Sequence, residues 1–185
     1  MSDSSFDHER EALAFLRRGL RDQDPNRGWS NFEFVTRNGS LYEVDALVVT
    51  DAGLFLVEVK SHPGEIGGDG GTWQWAAPDR GRLQTFDNPR LLANRKAKHL
   101  ADLLGHTKAW RGYRRTHPTA KPPYVQEVIF LSDANLRVTL SPPGRFQVFG
   151  RDPAAGEELP SGRKSIGGIV AALTSLEADR NGRPA

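Results

Sequence analysis

The chain has 185 residues, 37% hydrophobic and 26% charged, with a net charge of +2. That length suffices for one domain with a hydrophobic core and a polar surface. No apolar run is long enough to span a membrane, and the absence of cysteine excludes disulfides and thiolate zinc sites.

The N-terminus, "MSDSSFDHEREALAFLRRGL", is acidic before it is apolar and does not read as a secretory signal. The cytoplasm is therefore the expected compartment. Charge is unevenly spread: residues 1–60 hold 7 Lys/Arg against 11 Asp/Glu, whereas residues 88–121 hold 9 Lys/Arg against one acid, Asp102. An acidic first third suits the holding of cations, and a basic, aromatic-dotted middle suits the holding of an anion. On charge alone, a plain solvated basic face is an equal reading.

"SFDHEREALAFLRRGL" predicts a helix, capped by Ser5 or Asp7. Leu13, Leu16 and Leu20 share one stripe, with Glu9 one turn earlier. Two strands then flank Asn38-Gly39, a strong hairpin signal. Asp-Ala-Gly at 51–53 turns the chain again into the strand "LFLVEVK". The segment "SHPGEIGGDGGTWQWAAPDRGRLQTFDNP" reads as a long connection with one edge strand around Trp73 and Trp75. Its "GGDGG" precedes no helix, which argues against a phosphate cradle and for a flexible loop at the mouth of a site.

"NPRLLANRKAKHLADLLGHTKAW" predicts a helix after a proline start, with Ala93, Ala97, Leu100 and Leu104 as its apolar stripe. "RGYRRTHPTAKPP" reads as a basic loop. "YVQEVIFLSD" and "FQVFG" read as strands, and "SIGGIVAALTSLEAD" as a short terminal helix followed by a disordered tail. The expected class is α/β, a mixed central sheet flanked by helices.

Three ionisable residues stand at the margins of the apolar strands in "YEVDALVVTDAGLFLVEVK": Asp45, Glu58 and Lys60. Side chains alternate along a strand, so Glu58 and Lys60 share a face with Leu54 and Leu56, while Phe55, Val57 and Val59 point away. A hairpin across 51–53 sets Asp45 level with Glu58. Two carboxylates at one level repel unless a cation lies between them. Mg²⁺ or Mn²⁺ suits such a pair. The Val59 carbonyl is a further candidate ligand, and so is Glu9, because its stripe faces the core. Lys60 is placed to offset negative charge at a phosphate. The pattern fits metal-assisted phosphodiester hydrolysis, against the plainer reading of a strand-end ion pair.

Arg95, Lys96, Lys98, Lys108, Arg111, Arg114 and Arg115, with Trp110 and Tyr113, form the candidate nucleic-acid face. It would bind backbone phosphates with little sequence preference. Histidines 8, 62, 99, 106 and 117 lack the spacing of a metal pair. His62 and the two tryptophans, Trp73 and Trp75, read as loop and sheet cover rather than as substrate contacts.

"LYEVDALVVTDAGLFLVEVKSHPGEIGGDGGTWQW" followed by "DNPRLLANRKAKHLADLL" resembles the nuclease-related domain family, NERD, of the PD-(D/E)xK nuclease superfamily. The resemblance implies a restriction-endonuclease-like fold over residues 1–155, with 156–185 a linker and short helix leading toward a further domain. It matches Asp45, Glu58 and Lys60 to the nuclease motif and Glu9 to an acidic helix position. With the basic stretch downstream, DNA is the first expected substrate and RNA the second. Family members often carry a glutamine a few residues after the Asn-Pro; here that stretch reads Arg90-Leu91-Leu92. "KSH" at 60–62 and "RKAKHLADLL" resemble the N-terminal part of bacterial phage-defence kinases of the phage-growth-limitation or BREX type. The expected partners are nucleic acid, a fused kinase or other module, and a second copy in a homodimer. The alternative expectation is a catalytically inactive nucleic-acid-binding or docking module that regulates an attached kinase or helicase.

Overall fold

A computed structural model of the chain describes residues 7–21, 24–78, 83–153 and 166–175. The elements run α1 (Asp7–Leu20), β1 (Arg27–Val35), β2 (Leu41–Thr50), β3 (Gly53–Lys60), β4 (Glu65–Gly68), β5 (Thr72–Ala76), β6 (Leu83–Asp87), α2 (Pro89–Gly105), α3 (Lys108–Thr116), β7 (Gln126–Leu131), β8 (Arg137–Leu140), β9 (Val148–Phe149) and α4 (Ile169–Thr174). Five strands form a mixed sheet in the order β1-β2-β3-β7-β9. β1, β2 and β3 are antiparallel, and β3, β7 and β9 are parallel.

Both expected hairpins form. Asn38-Gly39 turns β1 into β2, with Gly39 at φ +88° as a left-handed turn position requires. Asp51-Ala52 turns β2 into β3, pairing Thr50 with Gly53 and Ala46 with Val57. β7 is buried along its whole length, because both faces of the sheet are covered. On one face, Ala12, Leu13 and Leu16 of α1 pack with Val57, Val59, Phe130, Ile169 and Leu173. On the other, Ala93, Ala97 and Leu100 of α2 pack with Leu56, Ile129 and Leu131. The apolar stripe predicted for α2 is thus the stripe that is buried, with Leu104 at its margin.

Four features depart from expectation. The glycine-rich connection is not one edge strand but the greater part of a second sheet, ordered β6-β5-β4-β8. Its "GGDGG" segment is an ordered hairpin turn in which Asp69 accepts from the Gly71 and Thr72 amides. Asn88, which caps α2, also bonds back to the carbonyls of Asp69 and Gly70. The helix expected to run through Trp110 breaks at Thr107, whose hydroxyl caps α3, so much of the expected basic loop is helical. Residues 166–175, expected beyond the domain, complete its core: Ile169 and Leu173 are fully buried. The Ser5 cap and the tail lie outside the described residues. Among the described residues no helix is long and apolar enough to cross a membrane.

The β4–β5 turn depends on a bare backbone. Gly68 has φ +130°, and a Cβ there would lie 2.3 Å from the Thr72 carbonyl oxygen. Gly71 has only the Asp69 carboxylate near it, at 3.6 Å. In urea unfolding, Gly68→Ala is expected to destabilise the fold by at least about 1–3 kcal/mol, and Gly71→Ala by less than about 0.5 kcal/mol. Equal effects would contradict this account of the turn.

Candidate active site

The site grows from the point where two strands part. The β2–β3 ladder runs as far as Ala46–Val57, and continuing its register sets Asp45 opposite Glu58. The β1–β2 ladder skips one pair at the same level, Asn31 with Asp45, and Asn31 has φ +52°. Side chains of β2 divide at this kink. Tyr42 stacks on His99 of α2, whereas Ala46 and Val48 pack with α1. Asp45 is turned toward β3, where its Oδ2 accepts the Val59 amide at 2.7 Å.

Glu58 is buried, at 8% exposure, on the α2 face of β3. One carboxylate oxygen accepts from Lys60 Nζ at 2.9 Å and the other from Lys96 Nζ at 2.7 Å. The expected sharing of one face by Glu58 and Lys60 therefore holds. Lys96 departs from expectation. It lies on the buried stripe of α2 at 6% exposure, paired with Glu58, and not on a phosphate-binding face. Arg95, Lys98, Lys108, Arg111, Arg114 and Arg115 are exposed as expected.

Burial and the neighbouring Glu58 charge push the Asp45 carboxyl from 3.8 to about 6, against the Val59 amide and the two lysines, which favour ionisation. For Glu58, burial alone would raise the carboxyl; Lys60 and Lys96 outweigh it and hold the group below its ordinary value. Two acids at one level are thus driven in opposite directions. The donor set fits a hard divalent cation: two carboxylates, with the Val59 carbonyl adjacent and waters filling the remainder. Asp45, Glu58 and Val59 would hold it.

Glu9 does not join them. Its helix covers the other face of the sheet, and among the described residues no group of three or more acidic or histidine side chains is placed to share a cation. The N-terminal turn of α1 does reach the end of β3. Burial, with the charges of Lys60 and His8 adding, lowers the pKa of His62, and Glu11 pairs with Arg151 at 2.8 Å. Trp73 is fully buried in the core, as sheet cover requires, whereas half-buried Trp75 sits against His62, centroids 4.8 Å apart. A cavity of about 480 Å³ between α1 and β1–β2, lined by Leu16, Arg17, Arg21, Arg27 and Ala46, holds no carboxylate and is separate from this site.

Position 90, just past the helix start, is used structurally. Arg90 pairs with buried Glu127 at 3.0 Å and lies over the Phe146 ring. The polar group that α2 sends to the carboxylates is Lys96. In sequence it is indistinguishable from its basic neighbours, except that it falls three residues from Ala93 on the apolar stripe.

A mixed sheet between helices, with an aspartate and a Glu-x-Lys gathered where two of its strands part, defines a restriction-endonuclease-like α/β domain. The chain belongs to the NERD, or nuclease-related domain, family, whose pattern matches residues 4–132. It is also 42% identical over 140 residues to "Probable kinase PglW" of Streptomyces coelicolor (strain ATCC BAA-471 / A3(2) / M145), a match covering 76% of this chain. The chain spans only 8% of that protein's length. No solved structure matches it.

The carboxylate pair sets a pH signature. The folded chain holds the Asp45 proton more tightly than the unfolded chain does. This group's contribution to stability therefore falls as pH rises from about 4 to about 6, and stays low above that. Glu58 acts oppositely: its contribution is full above its unfolded value and fades as pH drops through its lower folded one. Asp45→Asn keeps an acceptor for the Val59 amide and removes the charge. In chelator at pH 8 it is expected to stabilise the fold by about 1–3 kcal/mol and to flatten the fall between pH 4 and 6. Loss of stability at pH 8 would contradict the assignment.

Proposed function

We propose that this domain is a metal-dependent nuclease that hydrolyses nucleic-acid phosphodiester bonds, with DNA as substrate and Mg²⁺ or Mn²⁺ as cofactor. The observation that carries the proposal is the juxtaposition of Asp45 and Glu58 at one level of adjacent strands, with one acid pushed up and the other held down, beside a partly exposed Lys60. Asp45, Glu58 and the Val59 carbonyl would hold the cation, which when bound polarises the phosphate and makes a nearby water more acidic. Lys60 faces the phosphate and offsets the negative charge that develops as the bond breaks. Lys96 keeps the Glu58 carboxylate ionised and oriented, a positioning role. The exposed cations Arg95, Lys98, Lys108, Arg111, Arg114 and Arg115 would track the backbone.

The similarity to a far longer probable kinase supports a second layer of the proposal: the domain works as one module of a larger protein that includes a kinase, in phage defence. A second reading, a catalytically inactive binding or docking module, is favoured by one observation. Both oxygens of Glu58 are already engaged by lysines, so Glu58 is neutralised without any metal.

Plasmid incubated with Mg²⁺ or Mn²⁺ separates the two readings. Cleavage by the wild-type domain is expected to stop in EDTA and to fall by about a hundredfold or more in Asp45→Ala and Lys60→Ala. A rise in melting temperature with Mn²⁺, absent in Glu58→Ala, is expected alongside it. Equal cleavage by wild type and both variants would reveal a contaminant and overturn the nuclease reading. Binding without metal response or cleavage would establish the inactive module.

A further inference from the structure

α3 buries none of its residues, yet it is ordered and built around a stack of rings. Trp110 stacks on Tyr113 with centroids 5.5 Å apart, and Tyr113 stacks on His117 at 4.1 Å and 12°. Tyr113 is 49% exposed, far more than a ring recruited for a core would be. Arg111 and Arg114 border the ring face along one side, Lys108 and Arg115 lie on the back of the helix, and the helix has no acid. Arg111 also donates to the His106 carbonyl, which ties the cationic rim to the end of α2. A ring stack anchored by half-buried Trp110 and open to solvent at Tyr113 and His117, with cations along one side, matches the two needs of a single strand: a surface for flat bases and partners for phosphates. A duplex hides its bases and would use only the cations.

The position relative to the carboxylates fits the same occupant. Past Lys96, α2 continues for nine residues to Gly105, about 14 Å. The β1–β2 hairpin extends alongside, with Tyr42 stacked on His99 and Arg37 bonded to His106 at 3.0 Å. At about 3.4 Å per nucleotide, roughly four stacked nucleotides match the rise of α2 from Lys96 to its end, where α3 follows.

We propose that α3 is a binding platform for single-stranded nucleic acid, on which bases extend the Trp110–Tyr113–His117 stack while the flanking cations hold phosphates. The proposal rests on the nuclease reading only for the form of substrate it delivers; the binding itself needs no metal. The test is the anisotropy of a labelled thymidylate dodecamer with the wild-type domain in EDTA. Tyr113→Ala is expected to weaken binding by about tenfold or more, and Tyr113→Phe to bind as wild type. A duplex of the same length is expected to bind more weakly than the single strand. Because Tyr113 lies outside the core, circular dichroism and melting temperature should match the wild type.

Undiminished binding by Tyr113→Ala, or a duplex bound as tightly as the single strand, would overturn the platform. Capture of an oligoglutamate peptide with no binding of the dodecamer would reassign α3 to an acidic protein partner. Single-strand binding without cleavage in Mg²⁺ would retain the platform and sink the nuclease. Cleavage in Mg²⁺ together with dodecamer binding undiminished by Tyr113→Ala would sink the platform and retain the nuclease.

Discussion

Two carboxylates set level on adjacent strands and withdrawn from water repel each other, and the arrangement lasts only if positive charge is supplied around them. Asp45 and Glu58 are in that position, and the domain answers from three directions. The Val59 amide points at Asp45, Lys60 reaches back along its own strand to Glu58, and Lys96 comes down from α2 to the other Glu58 oxygen. The compensation is unequal. Glu58 receives both lysines and is held ionised, while Asp45 receives a backbone amide and stays hard to ionise. That imbalance is what the proposed cation would relieve, and the rest of the fold holds the pair in place.

The parts that serve it are ordinary ones. A two-residue turn fixes the register that sets the acids level. The kink at Asn31 and Asp45 frees the carboxylate from the ladder and turns it toward β3. α2 is anchored at its start by Asn88 to the β4–β5 turn and by Arg90 to Glu127, so the depth of Lys96 is fixed from outside the site. The second sheet therefore supports the candidate site indirectly, by seating the helix that delivers Lys96 to Glu58.

Much of this was legible in the sequence because it is local. Asn38-Gly39 and Asp51-Ala52 specify turns, turns specify register, and register places Asp45, Glu58 and Lys60 together without knowledge of the rest. What escaped is what depends on distant partners. β4 and β8 are four residues each, and β4 reads Glu-Ile-Gly-Gly, too short and glycine-rich to show an alternating pattern. Lys96 sits in a run of basic residues, and only the packing of α2 on β3 distinguishes it from Arg95 and Lys98. Glu9 lies on a core-facing stripe, as read, but a sheet has two faces and helical periodicity does not say which one a helix will cover. The α2–α3 break falls at Gly105-His106-Thr107, where His106 and Thr107 bond back to close α2 and Thr107 caps α3, between two segments that each keep a helical period.

Membership of the nuclease-related family and the paired acids point the same way, toward a shared cation. Diffraction from a crystal soaked in Mn²⁺ tests this most directly. The account predicts an anomalous peak between Asp45 and Glu58, about 2.0–2.6 Å from an oxygen of each, with at least one lysine withdrawn from Glu58. No peak, with Lys60 and Lys96 both still seated on Glu58, would contradict it.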